Sequence, residues 1–139
     1  MKKDIYSSEN LESFVYDLIK YLYKTKDYYG ERLSKDVLIY SMNKCFYVDE
    51  NEYTKKINDI PVYIKENINV EDCLEYYNKE SLTISMDSRL NEYLYYYDVE
   101  GCKEVSEKID KIFKKHGFYY DFGTSYILIA YESNGKLRI

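Results

Sequence analysis

One histidine and three cysteines are the side chains best suited to chemistry in this 139-residue sequence. A Ser-His-Asp or Cys-His site would have to use His116, since the imidazole must take the nucleophile's proton. His116 stands between Lys115 and Gly117 at the end of a predicted helix, where complementing the negative end of the helix dipole accounts for it. Cys45, Cys73, Cys102 and His116 together make the ligand count of a Cys3His zinc site. Structural zinc sites bring their ligands in close pairs, because one turn positions two at once. Here the gaps are 28, 29 and 14 residues, so no metal is expected. No thiolate-stabilising setting surrounds any of the cysteines. Their wide spacing predicts reduced thiols in a cytoplasmic setting rather than a disulfide framework.

Asp121-Phe122-Gly123 matches one triplet of a protein kinase, but the Gly-rich loop, strand lysine and catalytic loop are missing. The triplet reads as a turn between two strands. No phosphate-binding loop, dinucleotide fingerprint, metalloprotease helix or calcium loop occurs, so no cofactor is expected. Glu71 and Glu75 would share a helical face, as would Glu100 and Glu104. Solvated surface is the plain reading of both pairs.

The feature with more specificity is a row of tyrosines. Tyr93, Tyr95 and Tyr97 alternate, so on a strand their rings project from one sheet face. Tyrosine offers a large contact area, few rotors and a polar tip, and is enriched at binding surfaces. The same rings could instead form a second core layer beneath the N-terminal helices. Residues 66–107 carry eleven acidic and three basic side chains, and Glu71, Asp72 and Glu75 lie within them. These six residues are the candidate partner-binding set.

The elements that must hold them follow from periodicity. Leu11, Phe14, Val15, Leu18, Ile19 and Leu22 fit an amphipathic helix, with Ser8 as cap and Gly30 as stop. Residues 34–48 fit either a helix or a hairpin turning at Asn43-Lys44; we read them as helix, with Ser34 as its cap. Pro61 ends the following segment, Val62-Tyr63-Ile64 could be a short strand, and Asn69 could cap a short helix. From Ser81 the period changes to two. Leu82, Ile84 and Met86 make one strand, and residues 90–97 make the next, paired as a hairpin. A helix over about 102–116 ends at Gly117. The strand from Ser125 to Glu132 is apolar on both faces, and Asn134-Gly135 signals a hairpin to residues 136–139. The expected fold is α+β. A mainly helical half (about 1–79) precedes a strand-rich ββαββ half (about 80–139) with one helix packed on an antiparallel sheet. The N-terminal helices would cover its other face or an end. No linker divides the halves, so one domain over 1–139 is expected.

Composition narrows the class. The chain has 20 Tyr, no Trp, one Pro and a net charge of −5. Abundant Tyr, Lys, Asn and Ile with scarce Ala and Pro predict an AT-rich coding sequence, as in low-GC bacteria and their phages. That bias also supplies a non-functional reason for many of the tyrosines. The acidic balance argues against direct nucleic-acid binding, which rests on Lys and Arg neutralising phosphates. No run is long enough for a membrane span, and no apolar segment follows the N-terminal charges.

The expectation is therefore a non-enzymatic protein-interaction module. Its concrete form is an anti-defence or antitoxin-like inhibitor that sets acidic side chains against a basic surface of a nucleic-acid-handling protein. The alternatives are a small-ligand or nucleotide-binding module with a tyrosine-lined site, and an enzyme built on dispersed carboxylates. Oligomeric state does not follow from the sequence.

Overall fold

The helical apolar stripe at the N-terminus forms as expected. In the computed structural model, which describes residues 4–50, 56–57, 59–87, 89–96 and 101–133, helix α1 spans Ser8–Lys24 and buries all six stripe residues. Burial on that scale contributes about 1.5–3 kcal/mol per large side chain. The cap is Ser7 rather than Ser8: its hydroxyl accepts from the Asn10 N–H at 3.1 Å. The helix stops at Lys24, earlier than expected, and Gly30 lies in the following loop with φ +84°.

Residues 34–48 are not a helix. Strand β1 (Val37–Ser41) and strand β2 (Lys44–Val48) form a hairpin. Met42 and Asn43 turn it with φ of +56° and +59°, the doubly positive pattern whose twist matches the flanking strands. Val37, Ile39 and Phe46 bury on one face while Tyr40 and Cys45 bury on the other. With both faces apolar, a helical stripe can be drawn through a strand pair. The turn also falls one residue earlier than the hairpin alternative placed it.

Strand β3 (Lys56–Ile57) pairs with β4 (Ile60–Lys65), which contains the expected Val62-Tyr63-Ile64 strand. Pro61 sits inside β4 instead of ending a segment, and its carbonyl accepts from the Asp49 N–H at 3.0 Å. The expected helix after Asn69 is only a 3-10 turn over Val70–Asp72. Strand β5 (Thr83–Met86) forms where the period of two predicted it, with Ile84 and Met86 in the helix-side core, but it is not half-buried, because Thr83 is buried as well. The next segment is helix α2 (Arg89–Tyr95), not a strand. Leu90 and Leu94 are four residues apart and both buried, so this short run satisfies the helical period as well as the alternating one. Helix α3 (Lys103–Lys115) then ends at Gly117 with φ +92°, as expected. Strands β6 (Phe118–Thr124) and β7 (Ile127–Glu132) follow. Asp121-Phe122-Gly123 thus lies inside β6, where the pairing shifts register, and the turn comes after it. The expected hairpin at Asn134-Gly135 lies outside the described residues.

Among the described residues seven strands form one antiparallel sheet in the order β3-β4-β2-β1-β5-β7-β6. The α+β class and a helix packed on an antiparallel sheet hold, but the first half is not mainly helical, since β1 to β4 lie in it. Helices α1, α2 and α3 share one face. Phe14, Leu18, Leu90, Ile109 and Phe113 pack there with Ile39, Phe46, Ile84 and Leu128 in one core. The N-terminal helix therefore does not take the face opposite α3.

The other face is covered by loop 66–80. Val70, Ile68 and Leu74 pack on Tyr40, Cys45 and Leu38. A Cβ on Gly123 would stand 2.8 Å from the Tyr76 Cβ, so glycine lets that loop close on β6. Asn78 fastens it, donating to the Ala130 carbonyl at 2.8 Å through Nδ2 and to Thr83 Oγ1 at 2.9 Å through its backbone N–H. With cover on both sides, β7 buries Ile127, Leu128, Ile129 and Ala130 in succession, as expected. Among the described residues no helix is long and apolar enough to cross a membrane.

Candidate functional site

The candidate partner-binding residues divide between two regions. Tyr93 is half-buried and Tyr95 exposed, both on α2 rather than on a strand. Tyr97 lies outside the described residues. Tyr93 and Tyr95 therefore do not form a strand row beside Thr83 and Ser85, and Thr83 is buried. Glu71 and Asp72 are exposed on the 3-10 turn, and Glu75 is exposed just beyond it. Glu71 binds Lys79 at 3.0 Å and accepts from Asn69 at 2.7 Å, and these contacts hold its carboxyl below the usual carboxylate range. The acids belong to the loop on one sheet face, whereas α2 packs on the other. The fold does not gather them into one site.

It does gather a different tyrosine cluster. After α1 the chain makes a tight loop: Asp27 N–H donates to the Glu31 carbonyl at 2.7 Å and Leu33 N–H to the Thr25 carbonyl at 2.9 Å. The Asp27 carboxylate organises it from inside, because Oδ1 accepts from the N–H groups of Tyr29 at 2.8 Å and Glu31 at 2.9 Å. Gly30 supplies the positive φ that the turn needs. The consequence is that Tyr28 and Tyr29 stand outward, 90% and 71% exposed, with their rings edge to face at 5.5 Å.

Helix α2 faces this loop. Arg89, its first residue, lies over the Tyr29 ring at 4.6 Å. Its Nε is 3.4 Å from Asp27 Oδ2, an ionic contact without hydrogen-bond geometry, and the Asp27 side chain is only 1% exposed. Arg89 also donates to Glu92 at 3.0 Å, which favours its charged form. Tyr95 and Tyr96 extend the aromatic surface, 57% and 53% exposed, with rings 5.0 Å apart. A cleft of about 320 Å³ runs between Tyr28, Tyr29, Tyr93 and Tyr96, with Cys102 at its border. A second cleft of about 340 Å³ shares Asp27, Tyr29 and Arg89 with it and continues toward Arg32 and Lys35.

This arrangement suits recognition. Aromatic faces, one arginine and two carboxylates converge. His116 lies elsewhere, buried in the core: its ring stacks on Phe14 at 5.1 Å, and Nε2 is 2.7 Å from Asp17. Packing and hydrogen bonding, beyond the dipole, hold it there. Cys45 is buried with Tyr40 and Val70 beneath loop 66–80, and Cys73 is exposed on that loop. Among the described residues no group of three or more His, Cys, Asp or Glu side chains is placed to hold a metal ion.

Sequence reasoning missed Tyr28, Tyr29 and Arg89. A signal was present: Tyr28-Tyr29 follow Asp27 and precede Gly30 in a polar stretch, off the apolar stripe of α1. Asp and Gly mark a turn there, and aromatic residues at a turn's tip point to solvent. No protein-family model, no curated protein and no solved structure matches this chain.

Proposed function

We propose that this protein is a non-enzymatic protein-interaction module that grips its partner with the tyrosine-rich end. The observation that carries the reading is the clustering of exposed Tyr28, Tyr29 and Tyr96 about the Asp27–Arg89 pair, with exposed Tyr95 against Tyr96. Exposed aromatic rings on a hydrogen-bonded loop lose little freedom on binding, and Tyr and Arg are the residue types that dominate contact energies. In the finer version the protein acts as an inhibitor of a nucleic-acid-handling protein, and comes from an AT-rich bacterium or phage. The acidic loop carrying Glu71, Asp72 and Glu75 then steers a basic partner surface while the tyrosines supply contact. Steering of this kind raises association rates more than it raises affinity.

The test is a tagged capture from source-cell lysate, with and without nuclease, using three proteins: wild type, Tyr28→Ala/Tyr29→Ala, and Glu71→Lys/Asp72→Lys/Glu75→Lys. A stoichiometric protein partner that survives nuclease and is lost with the tyrosine variant is the expected result. An unchanged partner set with the tyrosine variant, or loss of every partner on nuclease treatment, overturns it.

The cleft between Tyr28, Tyr29, Tyr93 and Tyr96 favours a second reading, a small planar ligand. Its volume of about 320 Å³ lies at the lower end of ligand pockets. A thermal shift with a nucleotide panel, abolished by Tyr96→Ala, would move weight to it.

A further inference from the structure

The side of the molecule formed by α1 and α3 has a charge that the net balance conceals. Lys20 and Lys24 on α1 face Lys108, Lys111 and Lys115 on α3 across an open groove of about 420 Å³. Its apolar walls are Tyr21 and Ile112, both half-buried against the core. Lys115 is neutralised by Asp17 at 2.9 Å. The other four lysines have no carboxylate within 4.0 Å among the described residues. Elsewhere on α3 the lysines are paired, Lys103 with Glu107 at 4.0 Å and Lys114 with Asp110 at 2.9 Å. On α3 the lysines without a carboxylate partner, Lys108 and Lys111, thus both lie in the groove. Four like charges held together repel one another, and a counter-charge from outside relieves that repulsion.

We propose that this groove docks a short acidic peptide segment bearing an apolar anchor residue. The anchor rests between Tyr21 and Ile112, and carboxylates on either side of it meet the lysines of the two helices. The groove is short: Lys108 to Lys115 covers about 10 Å of helix. It is bounded at one end by Asp17, and Glu104 lies close enough to Tyr21 to raise its pKa, after the larger effect of burial. A nucleic-acid strand, charged along its whole length, would run from the lysines onto these carboxylates. A peptide can confine its acids to the groove. The aliphatic Ile112 also rewards an apolar side chain and gives a phosphate backbone nothing. This site is separate from the tyrosine-rich end and does not depend on the function proposed there.

The test uses fluorescence anisotropy of the full chain with three labelled probes: a glutamate peptide with central leucines, an all-glutamate peptide of equal charge, and a single-stranded oligonucleotide of equal charge. The leucine-bearing peptide should bind most tightly, and more weakly as salt rises. Lys108→Ala/Lys111→Ala should weaken it roughly threefold to tenfold. These lysines are exposed and unpaired, so the thermal melt should not fall. Ile112→Ser should abolish the preference for leucine, and Tyr28→Ala/Tyr29→Ala should leave binding intact. Absence of peptide binding, equal affinity for both peptides, tighter binding of the oligonucleotide, or indifference to the lysine substitutions overturns the proposal. So does a concentration-dependent dimer, seen by sedimentation, that the lysine variant dissolves, because the occupant would then be a second copy of the chain.

Discussion

Asp27 and Arg89 are 62 positions apart in the chain and meet with Nε 3.4 Å from Oδ2. The carboxylate is buried and the guanidinium is partly exposed, so the pair faces inward at one end and outward at the other. The buried oxygen Oδ1 shapes the loop that lifts Tyr28 and Tyr29 into solvent, while Arg89 lies over the Tyr29 ring. One residue thus ties the loop after α1 to the start of α2, and the exposed aromatic surface is built across that tie.

Removing the Asp27 carboxylate should loosen this end of the molecule. Asp27→Ala leaves two backbone N–H groups without their acceptor and should cost about 1–3 kcal/mol in urea denaturation. Asp27→Asn keeps an oxygen at the Oδ1 position and should cost less. Equal stability of Asp27→Ala and wild type would show that the loop is held by something else.

Asp17 makes stability depend on pH. Its burial pushes the carboxyl up, but hydrogen bonds from His116 at 2.7 Å and Lys115 at 2.9 Å outweigh that and hold it below 3.8. Because the folded value lies below the unfolded one, the contribution is present above pH 3.8 and is lost as pH falls through the folded value. Asp17→Asn should therefore melt below wild type at neutral pH, and the gap should close in acid. A gap independent of pH would contradict this account.

The turn between β1 and β2 constrains Asn43. At φ +59° a β-branched side chain clashes with its own backbone. Asn43→Val should lose about 1–2 kcal/mol, whereas Asn43→Gly should be neutral or slightly stabilising. Circular-dichroism melts of the two variants decide it. If valine is tolerated as well as glycine, the turn has another conformation.

Thiol reactivity should rank by environment. Burial pushes the Cys45 thiol up to about 11, and the side chain is hidden beneath loop 66–80. Cys73 is exposed on that loop and Cys102 is intermediate. Under native conditions an alkylating reagent followed by mass spectrometry should mark Cys73 first, and Cys45 only in denaturant. Early labelling of Cys45 would mean that the loop opens readily.

What the sequence by itself determined is what local period and turn chemistry dictate. The stripe of α1, the stop of α3 at Gly117, the alternation of β5 and the doubly apolar β7 are each long or distinctive enough to admit one reading. The α+β class follows from them. Residues 34–48 admit two, and residues 90–97 read as a strand although Leu90 and Leu94 also fit a helix, because in both segments the apolar residues satisfy both periods over a short span. Tertiary packing decided between them: the hairpin fills the middle of the sheet, with cover on both faces, and α2 lays Leu90 and Leu94 on the core beside α3. Both candidate binding surfaces are likewise long-range. The tyrosine cluster joins residues 27–29 to 89–96, and the lysine groove joins 20–24 to 108–115. No period or local motif encodes such a meeting, because it depends on how separate elements settle around one core.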